Sequence, residues 1–295
     1  MNNTLNILTS LLMTLILGLS DSVWATSIQV TALGNAGWDS GDTRAAGYLD
    51  IHGDNQLVSG RTATEDALIS QRIGFVASPD STPLNNGSLH LSTPASDDKA
   101  TVQNNIASPF TSNDINMEYS WYKSTETTPT TAAPALKILL DTTEVNPNDA
   151  QAQEKGETVG DKILVYEPYR NHTAIDDLWT TETITQSDGL WWLVNLNGTN
   201  SSLMATDNSN LKTLDGWLNE FSNAGLVGSN ISSIQLGVGS GSPGLDSYVD
   251  YLSFTNAGDT QTWDFAVATV PVPAAVWLFG SGLLGLVGVA RRKKA

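Results

Sequence analysis

The chain has no cysteine and little positive charge. Without cysteine no disulfide can staple the fold, and thiolate catalysis and Cys-ligated metals are excluded throughout. The three histidines, His52, His90 and His172, are widely spaced with no H-x-x-x-H pattern, so each reads as a strand or loop residue rather than a zinc ligand. Lys and Arg number 14 against 31 acids, a net charge of −17. Four of those bases sit together at the end of the chain and one acid, Asp21, lies in the first segment, so the body between carries 30 acids against 10 bases. Such a surface repels nucleic acid and anionic headgroups, favours solubility and attracts divalent cations. Nucleic acid is therefore not an expected partner.

Familiar catalytic patterns are also missing. No serine stands in a G-x-S-x-G elbow. Gly239-Ser240-Gly241-Ser242-Pro243-Gly244 matches G-x-G-x-x-G formally, but it contains proline and precedes a strand-like run, so it reads as a turn. Glycoside hydrolysis needs two carboxylates across one sugar bond, and Glu118, Glu167 and Glu182 are the acids on expected strands that would supply them. The clustered E-x-D-x-E arrangement is absent. The body is expected to be non-enzymatic, with a carbohydrate-active enzyme as the alternative.

What is present begins with an export pattern. An apolar stretch from Leu5 to Leu19, a polar break and Val23-Trp24-Ala25 read as a secretory signal peptide over residues 1–25, although it lacks the usual basic leader. The body, residues 26–269, is built from short β-branched and aromatic runs bounded by Gly, Asn, Asp or Pro. Strands are expected at 27–33, 46–51, 72–77, 87–93, 115–124, 135–141, 162–168, 178–184, 190–196, 233–239 and 247–255. Only Leu211, Leu214, Trp217, Leu218 and Phe221 fall at helical spacing, with Gly225 as a stop. One short helix among eleven strands predicts an all-β fold, an antiparallel jelly-roll β-sandwich resembling those of lectins and carbohydrate-binding modules. Three polar stretches, 125–134, 142–161 and 197–210, are expected to be long loops.

Two kinds of binding site follow from residue chemistry. Sugars expose apolar C–H faces, which aromatic rings stack against while planar polar groups take the hydroxyls. The candidates are Trp38, Trp121, Tyr122, Tyr169, Trp191 and Trp192, with Tyr166 and Trp179 behind them. Adjacent strand residues face opposite ways, so in Trp121-Tyr122 and Trp191-Trp192 one ring of each pair should enter the core. The second site is for calcium. Asp39 and Asp42 stand in a glycine-bearing turn and Asp246 and Asp250 near the last expected strand, and adjacent first and last strands would bring these oxygen ligands together.

The tail carries the most specific pattern. Val270-Pro271-Val272-Pro273-Ala274 is followed by an apolar span of 17 residues, Ala274 to Ala290, and then Arg291-Arg292-Lys293-Lys294. The span is at the lower limit for a transmembrane helix, with the bases holding its cytoplasmic end. In that order the three parts of residues 270–295 resemble the PEP-CTERM sorting signal in its VPLPA-type variant, with Val272 in place of Leu and no Glu between the prolines. The resemblance implies an exosortase partner in the inner membrane of a Gram-negative bacterium, cleavage near the prolines, and a body displayed at the cell surface or in the extracellular matrix. Proteins with this tail are associated with extracellular polysaccharide and biofilm. The body's expected role is thus structural, adhesive or polysaccharide-binding.

Overall fold

The computed structural model describes residues 27–41, 43–44, 50–51, 67, 69–80, 82–84, 86–95, 98–111, 114–125, 131–141, 162–195, 210–226, 229–239 and 242–268. The signal segment, the tail with its expected membrane helix, Asp42, and most of the three polar stretches lie outside them. Among the described residues no helix is long and apolar enough to cross a membrane.

Two sheets face each other. The seven-stranded sheet holds β1 (Ile28–Val30), β5 (Ile73–Val76), β6 (Ser88–Thr93), β8 (Asn116–Lys123), β11 (Thr180–Ile184), β14 (Leu245–Asn256) and β15 (Asp259–Phe265). The six-stranded sheet runs β12 (Trp191–Asn195), β10 (Lys162–Tyr166), β9 (Ala135–Asp141), β13 (Asn230–Val238), β7 (Ala100–Pro109), β2 (Trp38–Ser40). A small hairpin pairs β3 (Thr43–Arg44) with β4 (Asp50–Ile51). From β6 onward the chain passes repeatedly between the sheets, the path expected of a jelly roll. The all-β sandwich is therefore as the sequence predicts, and each of the eleven expected segments contains a strand.

Three details differ. One pair is parallel, β1 beside β15, so the sandwich is not purely antiparallel. Strand β10 stops at Tyr166, because Pro168 fits the first position of a helix and opens the single turn α1 (Pro168–Asn171). The helix expected from Leu211 begins later, as α2 (Leu214–Asn223), because Lys212 bridges Trp191 as an extra strand-like pair and Thr213 caps the helix by accepting from Gly216 N–H at 3.2 Å. Gly225, at φ +77°, ends it.

Strand parity fills the core. Trp121, Val249, Leu252, Trp263 and Phe265 from one sheet meet Val102, Leu136, Ile138, Leu164, Trp191 and Leu236 from the other, all buried. Removing such large apolar surfaces from water supplies roughly 2 kcal/mol per side chain. A bulge between Val249 and Tyr251 leaves Asp250 as the extra residue of β14, fully buried. A smaller apolar cluster, Ala135, Leu139, Ile163 and Val165, lies apart from the main core, with Trp192 and Val194 against it.

Candidate functional site

The parity that builds the core also decides which aromatic residues remain reachable. Trp38 is enclosed, its ring edge-on to Trp263 at 5.5 Å and to Phe265 at 5.1 Å. Trp121 and Trp191 are fully buried between the sheets. Tyr122 faces the other way from Trp121 as expected, yet it too is buried, beneath Trp179 and Asp177, whose carboxylate accepts its hydroxyl at 3.2 Å. Burial, then the bond and charge of Asp177, push that phenol up to about 12. These four rings present no face on which a sugar can stack, which corrects the expectation for Trp38, Trp121, Tyr122 and Trp191. Trp38, Trp121 and Trp191 are taken up by the core between the sheets, and Tyr122 is covered by Trp179 and Asp177.

Trp192 and Tyr169 are different. Both are partly exposed, and one carboxylate joins them. The Trp192 indole N–H donates to Glu167 Oε2 at 2.9 Å, and Arg170 Nε donates to the same oxygen at 2.5 Å. The Arg170 guanidinium lies 5.0 Å from the centre of the Tyr169 ring. Burial opposes the Arg170 charge, but the bond and charge of Glu167 hold its pKa above the usual value. Burial, with Glu167 adding, raises the Tyr169 phenol.

The single turn α1 makes this arrangement. It places Tyr169 and Arg170 directly after β10, whose residue Val165 pairs with Trp192 across the sheet. Asn171 fixes the neighbouring turn, its carboxamide accepting from Leu190 N–H at 2.7 Å and donating to Leu190 C=O at 3.2 Å. Leu190, Ile175 and Leu178 stay exposed nearby in sequence. Aromatic rings, a fixed planar ion pair and apolar surface are the ingredients of carbohydrate recognition.

The other acids separate. Glu182 is buried and accepts from Trp121 Nε1 at 2.9 Å and Tyr166 Oη at 2.8 Å, with His172 Nε2 at 2.7 Å. Burial and Glu182 together push the Tyr166 phenol far above its ordinary value. Glu118 lies one residue from the partner of Glu182 on β8, so it faces the opposite side of the sheet, where Tyr251 donates to it at 2.6 Å.

The expected calcium set is not brought together. Asp39 lies on β2 of the six-stranded sheet, Asp246 and Asp250 on β14 of the other, and Asp246 is paired with His90 at 3.1 Å. The first and last strands are neighbours, but it is β1 that meets β15, and β2 has already crossed to the opposite sheet. Among the described residues no group of three His, Cys, Asp or Glu is placed to hold a metal. The G-x-G-x-x-G match lies between β13 and β14; Ser240 and Gly241 lie outside the described residues, and Gly239 and Ser242, Pro243 and Gly244 belong to no helix.

No curated protein matches the chain. Among solved structures it is similar to a family 11 carbohydrate-binding module from Clostridium thermocellum in complex with a β-1,3-1,4-mixed-linked tetrasaccharide, at 15% identity and a TM-score of 0.34, over 63% of this chain and 84% of that one. It is similar also to the carbohydrate recognition domain of Emp47p, at 10% identity and 0.29, over 63% and 87%. Residues 269–294 match the PEP-CTERM protein-sorting motif, so the chain carries the mark of an exported precursor that exosortase sorts to the cell surface.

Proposed function

We propose that the body is a non-enzymatic, polysaccharide-binding component of the cell surface or extracellular matrix, and that it grips sugar through Trp192, Tyr169 and the Glu167–Arg170 pair. The observation that carries this reading is the tie from Trp192 to Glu167 and on to Arg170, which holds two partly exposed rings beside a planar ion pair. Such pre-set geometry lowers the ordering cost of binding a flexible glycan. Display fits the same role: the body's 30 acids against 10 bases keep it soluble in a hydrated matrix. The tail belongs to the VPLPA-type variant, with processing near Pro271 and Pro273 in the inner membrane of a Gram-negative cell.

A glycan array on the full chain tests the reading. Selective binding that falls by roughly tenfold or more in Trp192→Ala and Tyr169→Ala is expected. Silence across the array from folded protein, or binding indifferent to both substitutions, would overturn it.

A further inference from the structure

Between β5 and β6, Leu84 and Asn86 bond to β14 and β15. There Leu84 N–H donates to Asp250 Oδ2 at 3.0 Å, and the Asn86 carboxamide N–H donates to Asp264 Oδ2 at 2.5 Å. Asn86 C=O accepts from Val267 N–H at 2.9 Å, which ties this arm to the segment after β15. Gly87 permits the approach: its φ is +115°, and a Cβ there would lie 2.7 Å from Val267 N and 3.0 Å from Val76 O.

Among the described residues, three buried oxygens at this junction have no hydrogen-bond partner: Asp250 Oδ1, Asp264 Oδ1 and Asn86 Oδ1. Asp250 is 0% and Asp264 4% exposed. The register sets Asp264 opposite Tyr251, next to Asp250, and their charges act on each other. Among the described residues, the hydrogen-bond donors to the two carboxylates are Leu84, Thr82, Asn86 and Gln29, all of them neutral. Buried acceptors lacking donors are costly, and two adjacent buried carboxylates with only neutral partners are costlier.

We propose that Asp250 Oδ1, Asp264 Oδ1 and Asn86 Oδ1 are ligands of a hard divalent cation, Ca²⁺, which pins the β5–β6 arm to the seven-stranded sheet. All three donors are oxygens and the set holds neither sulfur nor imidazole, the chemistry that favours Ca²⁺ over Zn²⁺. Only Asp250 is shared with the set expected from sequence. The cation here is a fastener rather than part of the Trp192 site, which lies on the other sheet.

The full chain, stripped with EDTA, is melted with and without millimolar Ca²⁺ and titrated with Tb³⁺, whose luminescence Trp263 beside Asp264 can sensitise. A Ca²⁺-dependent rise of several degrees is expected, with Tb³⁺ emission that Ca²⁺ displaces. Asp264→Asn and Asn86→Ala should weaken binding by roughly tenfold or more, while Asp39→Asn and Asp246→Asn leave it unchanged. Asn86→Ala, at a half-buried position, keeps the test open should Asp264→Asn fail to fold. No melting shift and no Tb³⁺ emission, or binding that survives both Asp264→Asn and Asn86→Ala, would overturn the site. Glycan binding unaffected by EDTA leaves the cation site standing, because the two proposals use different residues.

Discussion

Two carboxylates, Glu182 and Glu167, each take an indole N–H, and they have opposite fates. Glu182 accepts from Trp121 and Tyr166 inside the sandwich, with His172 closing its outer side. Glu167 accepts from Trp192 and Arg170 at the margin of the six-stranded sheet, partly open to water. The residue types are nearly the same, so composition alone does not separate them. Position does: Tyr166 and Trp191 are register partners facing inward, and the residue after each, Glu167 just beyond the end of β10 and Trp192 on β12, is partly exposed. One residue of strand parity converts a structural network into a surface available for recognition.

The comparison is most severely tested at Glu182. Glu182→Ala strands a buried indole N–H and a buried phenol, and at about 1–3 kcal/mol for each unsatisfied group the loss of stability should be roughly 3 to 5 kcal/mol. Denaturant melts of the full chain measure it. Glycan affinity at temperatures where the variant remains folded should be unchanged, and a selective loss of binding would show that the inner network belongs to the recognition surface after all.

Trp192→Ala should behave in the reverse sense. The ring is only partly buried and packs against the small cluster of Ile163 and Val165, so stability should fall by about 1 to 2 kcal/mol while glycan binding falls roughly tenfold. Trp192→Phe sharpens the point by keeping a ring but removing the N–H to Glu167. Intermediate binding would assign part of the affinity to stacking and part to the orientation that Glu167 imposes. A variant that loses stability heavily and binding not at all would erase the contrast between the two carboxylates.

Much of the fold was legible because period-two patterns such as those of β8 and β14 mark one buried face directly. The strands that escaped notice explain themselves. Strand β7 reads ATVQNNIASP, where amides dilute the signal, although Val102 faces inward from it. Strand β15 reads DTQTWDF, whose first half is exposed and looks like turn; only Trp263 and Phe265 anchor it. At the site, alternation expected one ring of each adjacent pair in the core without saying which; the structure buries Trp121 and Trp191 and leaves Trp192 partly exposed. Alternation failed for Tyr122 because parity fixes the side of a sheet on which a ring lies, whereas burial there depends on Trp179 and Asp177, more than fifty residues later. The Glu167–Arg170–Tyr169 cluster had one available signal, the proline after Glu167 that ends a strand and starts a helical turn. Asp264 and Asn86, 178 residues apart, had none, since only the fold brings them together.

The smallest expected effect separates the two carboxylates by pH. Burial lowers the His172 pKa, but the Thr173 carbonyl and then Glu182 more than offset this, leaving it above the usual value. A histidine whose folded pKa exceeds its unfolded value stabilises the fold at pH below about 6.5, and that contribution is lost as pH rises through the folded value. The melting-temperature difference between the parent and His172→Gln should therefore be widest near pH 6 and close on the alkaline side, measured from about pH 5 to 9. Solvent screening keeps it modest, because the His172 side chain is 39% exposed. Glu182→Gln should flatten the same curve while Glu167→Gln leaves it intact, for His172 answers to the inner carboxylate and not to the outer one. A response to Glu167→Gln instead would mean that the two carboxylates form one coupled system, and the division between structural and recognition networks would fall with it.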